Sequence, residues 1–143
     1  MADARVLLVD DEEDFVEALS ARLEARDLEV QVAASGKDAL ERAAETRFDA
    51  VILDLAMPGM DGIETLKALR ESQPQVQVIL LTGRGSLQKG VEAMKLGAMD
   101  FLEKPADINV LMDKIRQARS KAEEAEEQRT QQIISDILRT KGW

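Results

Sequence analysis

The sequence predicts an α/β fold, a doubly wound parallel sheet of five strands with helices on both faces. Short aliphatic runs alternate with amphipathic stretches along the chain, which is the pattern of successive βαβ units. The central run Val51-Ile52-Leu53 is apolar at every position, as expected of a strand that is covered on both faces. Polar or charged side chains follow several of these runs. Because the carboxyl ends of parallel strands meet at one edge of the sheet, these side chains are expected to form one site.

The elements follow from apolar periodicity and from the residues that interrupt it. Strands are predicted near residues 5 to 9, 29 to 33, 49 to 53, 76 to 81 and 99 to 102. Between them, helical spacing of apolar side chains is seen in three sets: Phe15, Leu19 and Leu23, then Ala39 and Ala43, then Ile63, Leu66 and Leu69. Pro74 follows the third set, where a helix is expected to end. Glycines mark the joins, at Gly36, Gly62, Gly85 and Gly97.

The fifth helix is predicted to be long and to leave the domain. It begins near Asp107, whose side chain is suited to cap it, and no helix breaker occurs before Gly142. We therefore divide the chain into a domain over residues 1–118 and a helical extension over residues 119–143. A heptad pattern breaks at Arg129 and Gln132, and an apolar cluster follows, made of Ile133, Ile134, Ile137 and Leu138. This cluster predicts docking on a partner, on a second copy or on the domain; a solvated, partly frayed helix is the alternative.

Composition excludes several classes of function. The 143 residues include no cysteine and no histidine, so a disulfide framework, a thiolate metal site and a histidine general base are impossible within this chain. Residues 1–115 carry a net charge of −10 and residues 116–143 carry +1. An acidic body of this kind repels a phosphate backbone, so we expect no direct nucleic-acid binding. No signal peptide or membrane-spanning run is visible, so we expect a cytoplasmic protein without membrane insertion.

Five side chains at the predicted strand ends fit one phosphoryl-transfer site. Asp54 is the candidate nucleophile, because a carboxylate can accept a phosphoryl group as an acyl phosphate. The neighbouring pair Asp10 and Asp11 would repel Asp54 unless a cation is bound among them. Oxygen ligands without His or Cys suit Mg²⁺, which also neutralises charge on the transferring group. Lys104 offers a movable positive charge for a phosphoryl oxygen, and Thr82 offers a hydroxyl donor.

Each of these features alone is also typical of ordinary structure. An Asp-Asp pair at a strand-to-helix turn is suited to cap a helix, and a Lys-Pro step is common at surface turns. The combination is more specific. The four features follow the first, third, fourth and fifth strands, and these strands adjoin one another when the strand order is 2-1-3-4-5.

At these residues the sequence closely resembles the receiver domain of two-component response regulators, over residues 5 to about 118. The matching segments are Val6-Leu7-Leu8-Val9-Asp10-Asp11-Glu12, Asp54-Leu55-Ala56-Met57-Pro58-Gly59-Met60-Asp61-Gly62, Leu81-Thr82-Gly83 and Gly97-Ala98-Met99-Asp100-Phe101-Leu102-Glu103-Lys104-Pro105. The resemblance implies the flavodoxin-like receiver fold. It also implies a cis peptide bond between Lys104 and Pro105.

The resemblance further implies a role for each site residue. Asp54 is the phospho-acceptor, and Asp11 and Asp54 ligate Mg²⁺ together with the carbonyl oxygen of Ala56. Asp10 acts mainly through metal-bound water. Thr82 and Lys104 contact the phosphoryl group. Phe101 matches the aromatic side chain that turns inward when the threonine, here Thr82, moves.

The function that these roles imply is a signalling switch. A partner histidine kinase or phosphotransfer protein donates a phosphoryl group from its phosphohistidine to Asp54, and the change alters binding of a downstream protein or dimerisation. The chain then assists its own phosphorylation and dephosphorylation but is not an enzyme. A stand-alone, chemotaxis-receiver-like protein is favoured over the N-terminal fragment of a longer transcriptional regulator. Two competing hypotheses are a phosphorylation-independent docking or dimerisation module and a metal-dependent phosphatase, for which no substrate pocket or acid-base group is identifiable.

Overall fold

A computed structural model of the chain describes residues 4–55, 62–83 and 87–140. Five parallel strands form one sheet with the order β2-β1-β3-β4-β5, which confirms the predicted fold class. The elements are β1 (Ala4–Val9), α1 (Glu13–Glu24), β2 (Leu28–Ala33), α2 (Gly36–Glu45), β3 (Ala50–Asp54), α3 (Gly62–Ser72), β4 (Val78–Thr82), α4 (Leu87–Lys95), β5 (Asp100–Glu103) and α5 (Ile108–Thr140).

The strands start within two residues of their predicted positions, and β4 shows the largest difference. It begins at Val78 rather than at residue 76. The reason is a turn after α3, in which the backbone N–H of Val76 donates to the carbonyl oxygen of Gln73. Val76 is buried. Its apolar side chain matches the pattern of a buried strand, so the strand was predicted to begin there, although the backbone of Val76 closes the turn.

Two apolar layers cover the two faces of the sheet. Successive side chains of a strand point to opposite faces, so Leu7 and Val9 contact one layer while Val6 and Leu8 contact the other. The first layer includes side chains of α2, α3 and α4, among them Ala39, Leu66, Leu69 and Ala93. The second includes side chains of α1 and α5, among them Leu19, Leu23, Leu111 and Ile115. Each large aliphatic side chain that is fully buried stabilises the fold by about 1.5–3 kcal/mol, so the two layers hold the strands together.

Local contacts fix the helix ends that flank the sheet edge. The Asp107 side chain accepts hydrogen bonds from the N–H groups of Asn109 and Val110, at 2.8 and 3.2 Å, which confirms the predicted cap of α5. At the start of α3, the N–H of Gly62 donates to the carbonyl oxygen of Leu55. A Cβ atom at Gly62 would lie 2.7 Å from the carbonyl oxygen of Asp54. Glycine therefore allows α3 to begin directly against the end of β3.

Helix α5 is continuous through 33 residues, and its packing changes along its length. Its fully buried side chains end at Ala118, and Ala122 and Ala125 are still half-buried. The predicted division between residues 118 and 119 therefore falls inside the helix, where burial decreases. An ion pair of 2.6 Å between Arg47 and Glu126 links the next turns to the loop before β3. The apolar cluster at the far end is exposed: Ile133 50%, Ile134 52%, Ile137 49% and Leu138 50%. None of the helices in the described ranges is long and apolar enough to cross a membrane.

Candidate functional site

The carboxyl ends of β1, β3, β4 and β5 bring the predicted residues to one edge of the sheet. Asp10 directly follows β1, Asp54 ends β3, Thr82 ends β4 and Lys104 directly follows β5. The first three are polar side chains with only 2%, 4% and 4% exposure. Burying a carboxylate is unfavourable unless it is paired. The buried acids at this edge of the sheet therefore indicate a functional site.

Lys104 connects the acidic side chains of the site. Its Nζ atom lies 2.8 Å from Oδ2 of Asp10, 3.2 Å from Oε1 of Glu12 and 3.8 Å from Oδ2 of Asp54. The three carboxylates come from two different strand ends and the turn before α1. One ammonium group thus offsets much of the repulsion that the clustered acids exert on one another.

The protonation of Lys104 follows from this arrangement. Burial is the largest single effect on its pKa and acts to lower it, but the hydrogen bond and the charge of Asp10, the charge of Asp54 and the hydrogen bond to Glu12 act in the opposite direction. Together they raise the pKa of Lys104 above its ordinary value of 10.5. Lys104 is therefore fully charged near neutral pH and acts as a cation rather than as a base.

The same carboxylates form a group that could hold a metal ion. Oxygen atoms of Asp10, Glu12 and Asp54 lie within 4.8 Å of one another. An all-oxygen set of this kind fits a hard divalent cation such as Mg²⁺. Asp11, which was predicted from the sequence to be a direct ligand, is exposed and does not belong to this group. Ala56, the other predicted ligand, lies outside the described residues.

The contact that Glu12 makes was not predicted from the sequence. The backbone N–H of Glu12 donates to Oδ1 of Asp10 at 3.0 Å. In this turn the Glu12 side chain points back toward the site, so that its carboxylate contacts Lys104. The signal in the sequence was the third acid of the run Asp10-Asp11-Glu12. The direction of the Glu12 side chain depends on the conformation of the turn before α1. That conformation could not be predicted from the residue types alone.

Thr82 and the residue after β5 are tied together through the backbone. The N–H of Lys104 donates to the carbonyl oxygen of Thr82 at 2.7 Å, which fixes the two strand ends side by side. The Thr82 hydroxyl donates to the carbonyl oxygen of Leu102 at 3.4 Å, a long and therefore weak hydrogen bond. The hydroxyl can exchange this bond for a stronger acceptor. The peptide bond between Lys104 and Pro105 is cis, as the resemblance implied.

Phe101 lies one residue beyond the start of β5, on the side of the sheet that faces α4. Its ring is partly buried against the first apolar layer, and a Cβ atom at Gly90 would lie 3.6 Å from it, an ordinary contact distance. The N–H of Phe101 donates to Oδ1 of Asp100 at 2.8 Å, and Asp100 forms a 2.6 Å ion pair with Lys114 of α5. The Phe101 ring therefore lies between β5 and α4, while its neighbour Asp100 links β5 to α5. The role of Phe101 as a switch stays a prediction.

A second aromatic side chain lies nearer to the charged centre. The ring centroid of Phe15 is 4.4 Å from Nζ of Lys104, within the range of a cation–π interaction. The sequence pattern assigned Phe15 only to the apolar face of α1. Lys104 is far from Phe15 in the sequence and follows β5, so this contact could not be predicted from local spacing.

Comparison with known proteins agrees with this geometry. The family described as response regulator receiver domain matches residues 6–116. The chain is 37% identical over 118 residues to the uncharacterized transcriptional regulatory protein YkoG of Bacillus subtilis, a match that covers 82% of this chain and 52% of that protein. It is 39% identical over 113 residues to the transcriptional regulatory protein ZraR of Escherichia coli K12, covering 79% of this chain and 26% of that protein.

Solved structures show the same similarity. A response regulator receiver domain protein from Clostridium thermocellum superposes with a TM-score of 0.82 at 32% identity, covering 85% of this chain and 98% of that one. The match to NtrX from Brucella abortus has a TM-score of 0.82 at 28% identity and covers 96% of this chain and 30% of that one. The chain thus spans about half the length of YkoG and about a quarter of ZraR.

Proposed function

Because the chain belongs to the response regulator receiver domain family, we propose that it is a signalling switch in which Asp54 accepts a phosphoryl group from the phosphohistidine of a partner histidine kinase. The observation that carries this proposal is the convergence of Asp10, Asp54 and Lys104 at one sheet edge, with Lys104 Nζ 2.8 and 3.8 Å from the two carboxylates. The donor histidine must lie outside the sequence described here, which contains none.

The proposed step is a displacement at phosphorus. A carboxylate oxygen of Asp54 attacks the phosphorus atom, a new O–P bond forms and the N–P bond of the donor breaks. The electron pair of the broken bond returns to the donor imidazole, which takes up a proton from solvent. The product is an acyl phosphate on Asp54.

Mg²⁺ is the proposed cofactor, and it supplies neutralisation of the carboxylates and of the transferring group when bound. Its ligands are proposed from the resemblance: Asp11, Asp54 and the Ala56 carbonyl directly, and Asp10 through water. Glu12 offers a further carboxylate, since one of its oxygen atoms lies within 4.8 Å of oxygen atoms of Asp10 and Asp54.

The phosphoryl group changes what Lys104 and Thr82 can bind. The Lys104 ammonium, which contacts carboxylates in this structure, gains a doubly charged acceptor that is close to Asp54. The weakly bonded Thr82 hydroxyl is free to donate to another phosphoryl oxygen. Both shifts act on the end of β4 and on β5, and Phe101 transmits them to the face formed by α4, β5 and α5.

The output of the switch is proposed to be binding of a downstream protein, in a cytoplasmic two-component pathway. The chain works as a phospho-acceptor that assists its own modification rather than as an enzyme that turns over external substrates. Its curated relatives YkoG and ZraR are named as transcriptional regulatory proteins and are longer. A place at the start of a longer regulator is therefore an alternative to a stand-alone receiver.

A homodimer is a second proposed output, and the end of α5 favours it. Four large apolar side chains, Ile133, Ile134, Ile137 and Leu138, are about half exposed on two adjacent turns. Exposed apolar patches of this kind mark interaction sites, and association with a second copy is the simplest way to cover them.

Intact-mass spectrometry tests the phosphorylation proposal. The protein is incubated with acetyl phosphate in the presence of Mg²⁺, or of EDTA as the control, and Asp54→Asn is treated in parallel. We expect one phosphoryl mass in the wild type with Mg²⁺, and none in the other two samples. An unmodified wild type would favour a phosphorylation-independent docking module, and an adduct in Asp54→Asn would place the acceptor elsewhere.

A further inference from the structure

Lys104 is held between two different kinds of surface. On one side lie the carboxylates of Asp10, Glu12 and Asp54, and on another lies the ring of Phe15, with its centroid 4.4 Å from Nζ. The side chain of Lys104 is only 15% exposed. The acids give the ammonium its negative partners, and the ring contributes to its shielding from water.

Phe15 is itself fixed by the fold. It lies in the first turn of α1, directly after the acidic turn, and it packs against the second apolar layer. Its neighbours Val16 and Leu19 are buried in that layer. The position of the ring is therefore set by the packing of α1 and not by Lys104 alone.

An aromatic face suits this position for a physical reason. The electron-rich face of a benzene ring attracts a cation, and the attraction increases when the cation is shielded from water. The ring accepts no strong hydrogen bond and cannot take up the proton of the ammonium. The N–H groups of Lys104 thus stay available for carboxylate or phosphoryl oxygens. An aliphatic side chain would shield the ammonium equally but would give no attraction in return.

We infer that Phe15 is a positioning residue for phosphoryl transfer, holding the Lys104 ammonium beside Asp54 through its aromatic face. This inference rests on the proposed phosphorylation of Asp54. Nothing is transferred to Phe15, which acts only through Lys104. The ring reduces the conformational freedom of a long side chain, so less entropy is lost when Lys104 binds the phosphoryl oxygen.

The test compares Phe15→Leu, which keeps an apolar side chain, with Phe15→Tyr, which keeps the aromatic face. The rate of adduct formation from acetyl phosphate with Mg²⁺ is followed by intact mass. We expect Phe15→Leu to be about threefold to fivefold slower, because that is the size of a partly exposed cation–π interaction, and Phe15→Tyr to match the wild type. Equal rates for the leucine and tyrosine variants would overturn the inference.

Phe48→Leu provides a matched control. Phe48 is buried in the first apolar layer, in the loop before β3 and away from Lys104. A loss of rate in Phe48→Leu as large as that in Phe15→Leu would show a general effect of core damage and would overturn the positioning role. In the Lys104→Met background, Phe15→Leu should cause no further loss, since the cation is gone.

A spectroscopic measurement separates this inference from the proposed function. A ring over the ammonium shifts the ε-methylene proton signals of Lys104 upfield, and Phe15→Leu should remove that shift without any phosphodonor present. Unshifted signals in the wild type would contradict the contact itself. Failure of the proposed function is recognised differently, by an Asp54→Asn variant that still gains a phosphoryl group.

Discussion

The ammonium group of Lys104 donates a 2.8 Å hydrogen bond to the carboxylate of Asp10, a residue 94 positions earlier in the chain. This bond spans the sheet edge from the end of β5 to the end of β1. It places a fixed positive charge in the acidic group that is proposed to receive a divalent cation. Lys104 and Mg²⁺ therefore compete for the same negatively charged carboxylates. This competition ends when a phosphoryl group supplies further oxygen atoms that both cations can contact.

The competition predicts that Lys104→Ala binds Mg²⁺ at least as tightly as the wild type, because an ammonium repels the ion. Isothermal titration calorimetry measures the affinity directly. The same variant should accept a phosphoryl group slowly, yet its modified and unmodified forms should give the same hydrogen-exchange pattern in α4, β5 and α5. Weaker Mg²⁺ binding, or a normal phosphorylation-dependent change in exchange, contradicts the role given to Lys104.

The ligand set predicts different effects for two neighbouring acids. Asp11→Ala should weaken Mg²⁺ binding and slow phosphorylation together, since the resemblance to receiver domains assigns Asp11 as a direct ligand. Glu12→Gln should change Mg²⁺ affinity much less, because the resemblance assigns no ligand role to Glu12 and its carboxylate pairs with Lys104. Titration of both variants decides the matter. A larger loss of Mg²⁺ affinity in Glu12→Gln than in Asp11→Ala would assign the ligand role to Glu12. Glu12 is the acid that the structure groups with Asp10 and Asp54.

The end of α5 predicts concentration-dependent self-association. Ile134→Glu combined with Leu138→Glu adds charge to the exposed apolar cluster and should yield monomers in sedimentation velocity at concentrations where the wild type is dimeric. The control pair, Gln128→Glu and Ser135→Glu, adds the same charge on a different face of the helix and should leave the association unchanged. All the substituted positions are exposed, so the fold is expected to persist. A monomeric wild type would exclude the dimer and leave partner binding as the use of the cluster.

The ion pair between Asp100 and Lys114 predicts a pH dependence of stability. Burial is the largest effect on the pKa of Asp100 and acts to raise it, but Lys114, the N–H of Phe101 and Lys121 together hold the pKa below its ordinary value of 3.8. A carboxyl group with a lowered pKa stabilises the fold above its unfolded pKa, and this contribution is lost as the pH falls through the folded value.

Asp100→Asn should therefore be less stable than the wild type at pH 7, by about 0.5–1 kcal/mol for a partly exposed pair. Asparagine still accepts the hydrogen bond from Phe101, so the change isolates the charge. Urea unfolding at pH 7 and at a pH below 3.8 measures both values, and the difference between variant and wild type should shrink in acid. A difference that is independent of pH would assign the effect to packing.

Much of the fold and the centre of the site follows from the sequence. Aliphatic runs without alternation predicted buried parallel strands. The topology of such a sheet brings the carboxyl ends of its strands to one edge, independently of the conformation of the loops. This is why the meeting of Asp10, Asp54 and Lys104 was predictable from residues that are far apart in the chain. The cap by Asp107 was predictable for a similar reason, since it depends only on local spacing.

The parts that were missed depend on side-chain direction. Glu12 and Phe15 both reach Lys104, but their contacts are set by the turn before α1 and by the packing of that helix on the sheet. The apolar pattern of α1 gave Phe15 a complete explanation as a core residue, which concealed its second contact. The apolar cluster that begins at Ile133 was visible in the sequence. Its exposure could not be predicted, because it depends on where α5 runs beyond Ala118.

The central claim is that Asp54 carries the phosphoryl group, and chemical trapping tests it most directly. Borohydride reduces an acyl phosphate of aspartate to homoserine, so the phosphorylated protein is treated with borohydride, digested and sequenced by tandem mass spectrometry. We predict homoserine at position 54 and unmodified aspartate at Asp10 and Asp11. Homoserine at either of those residues, with an intact Asp54, would contradict the claim.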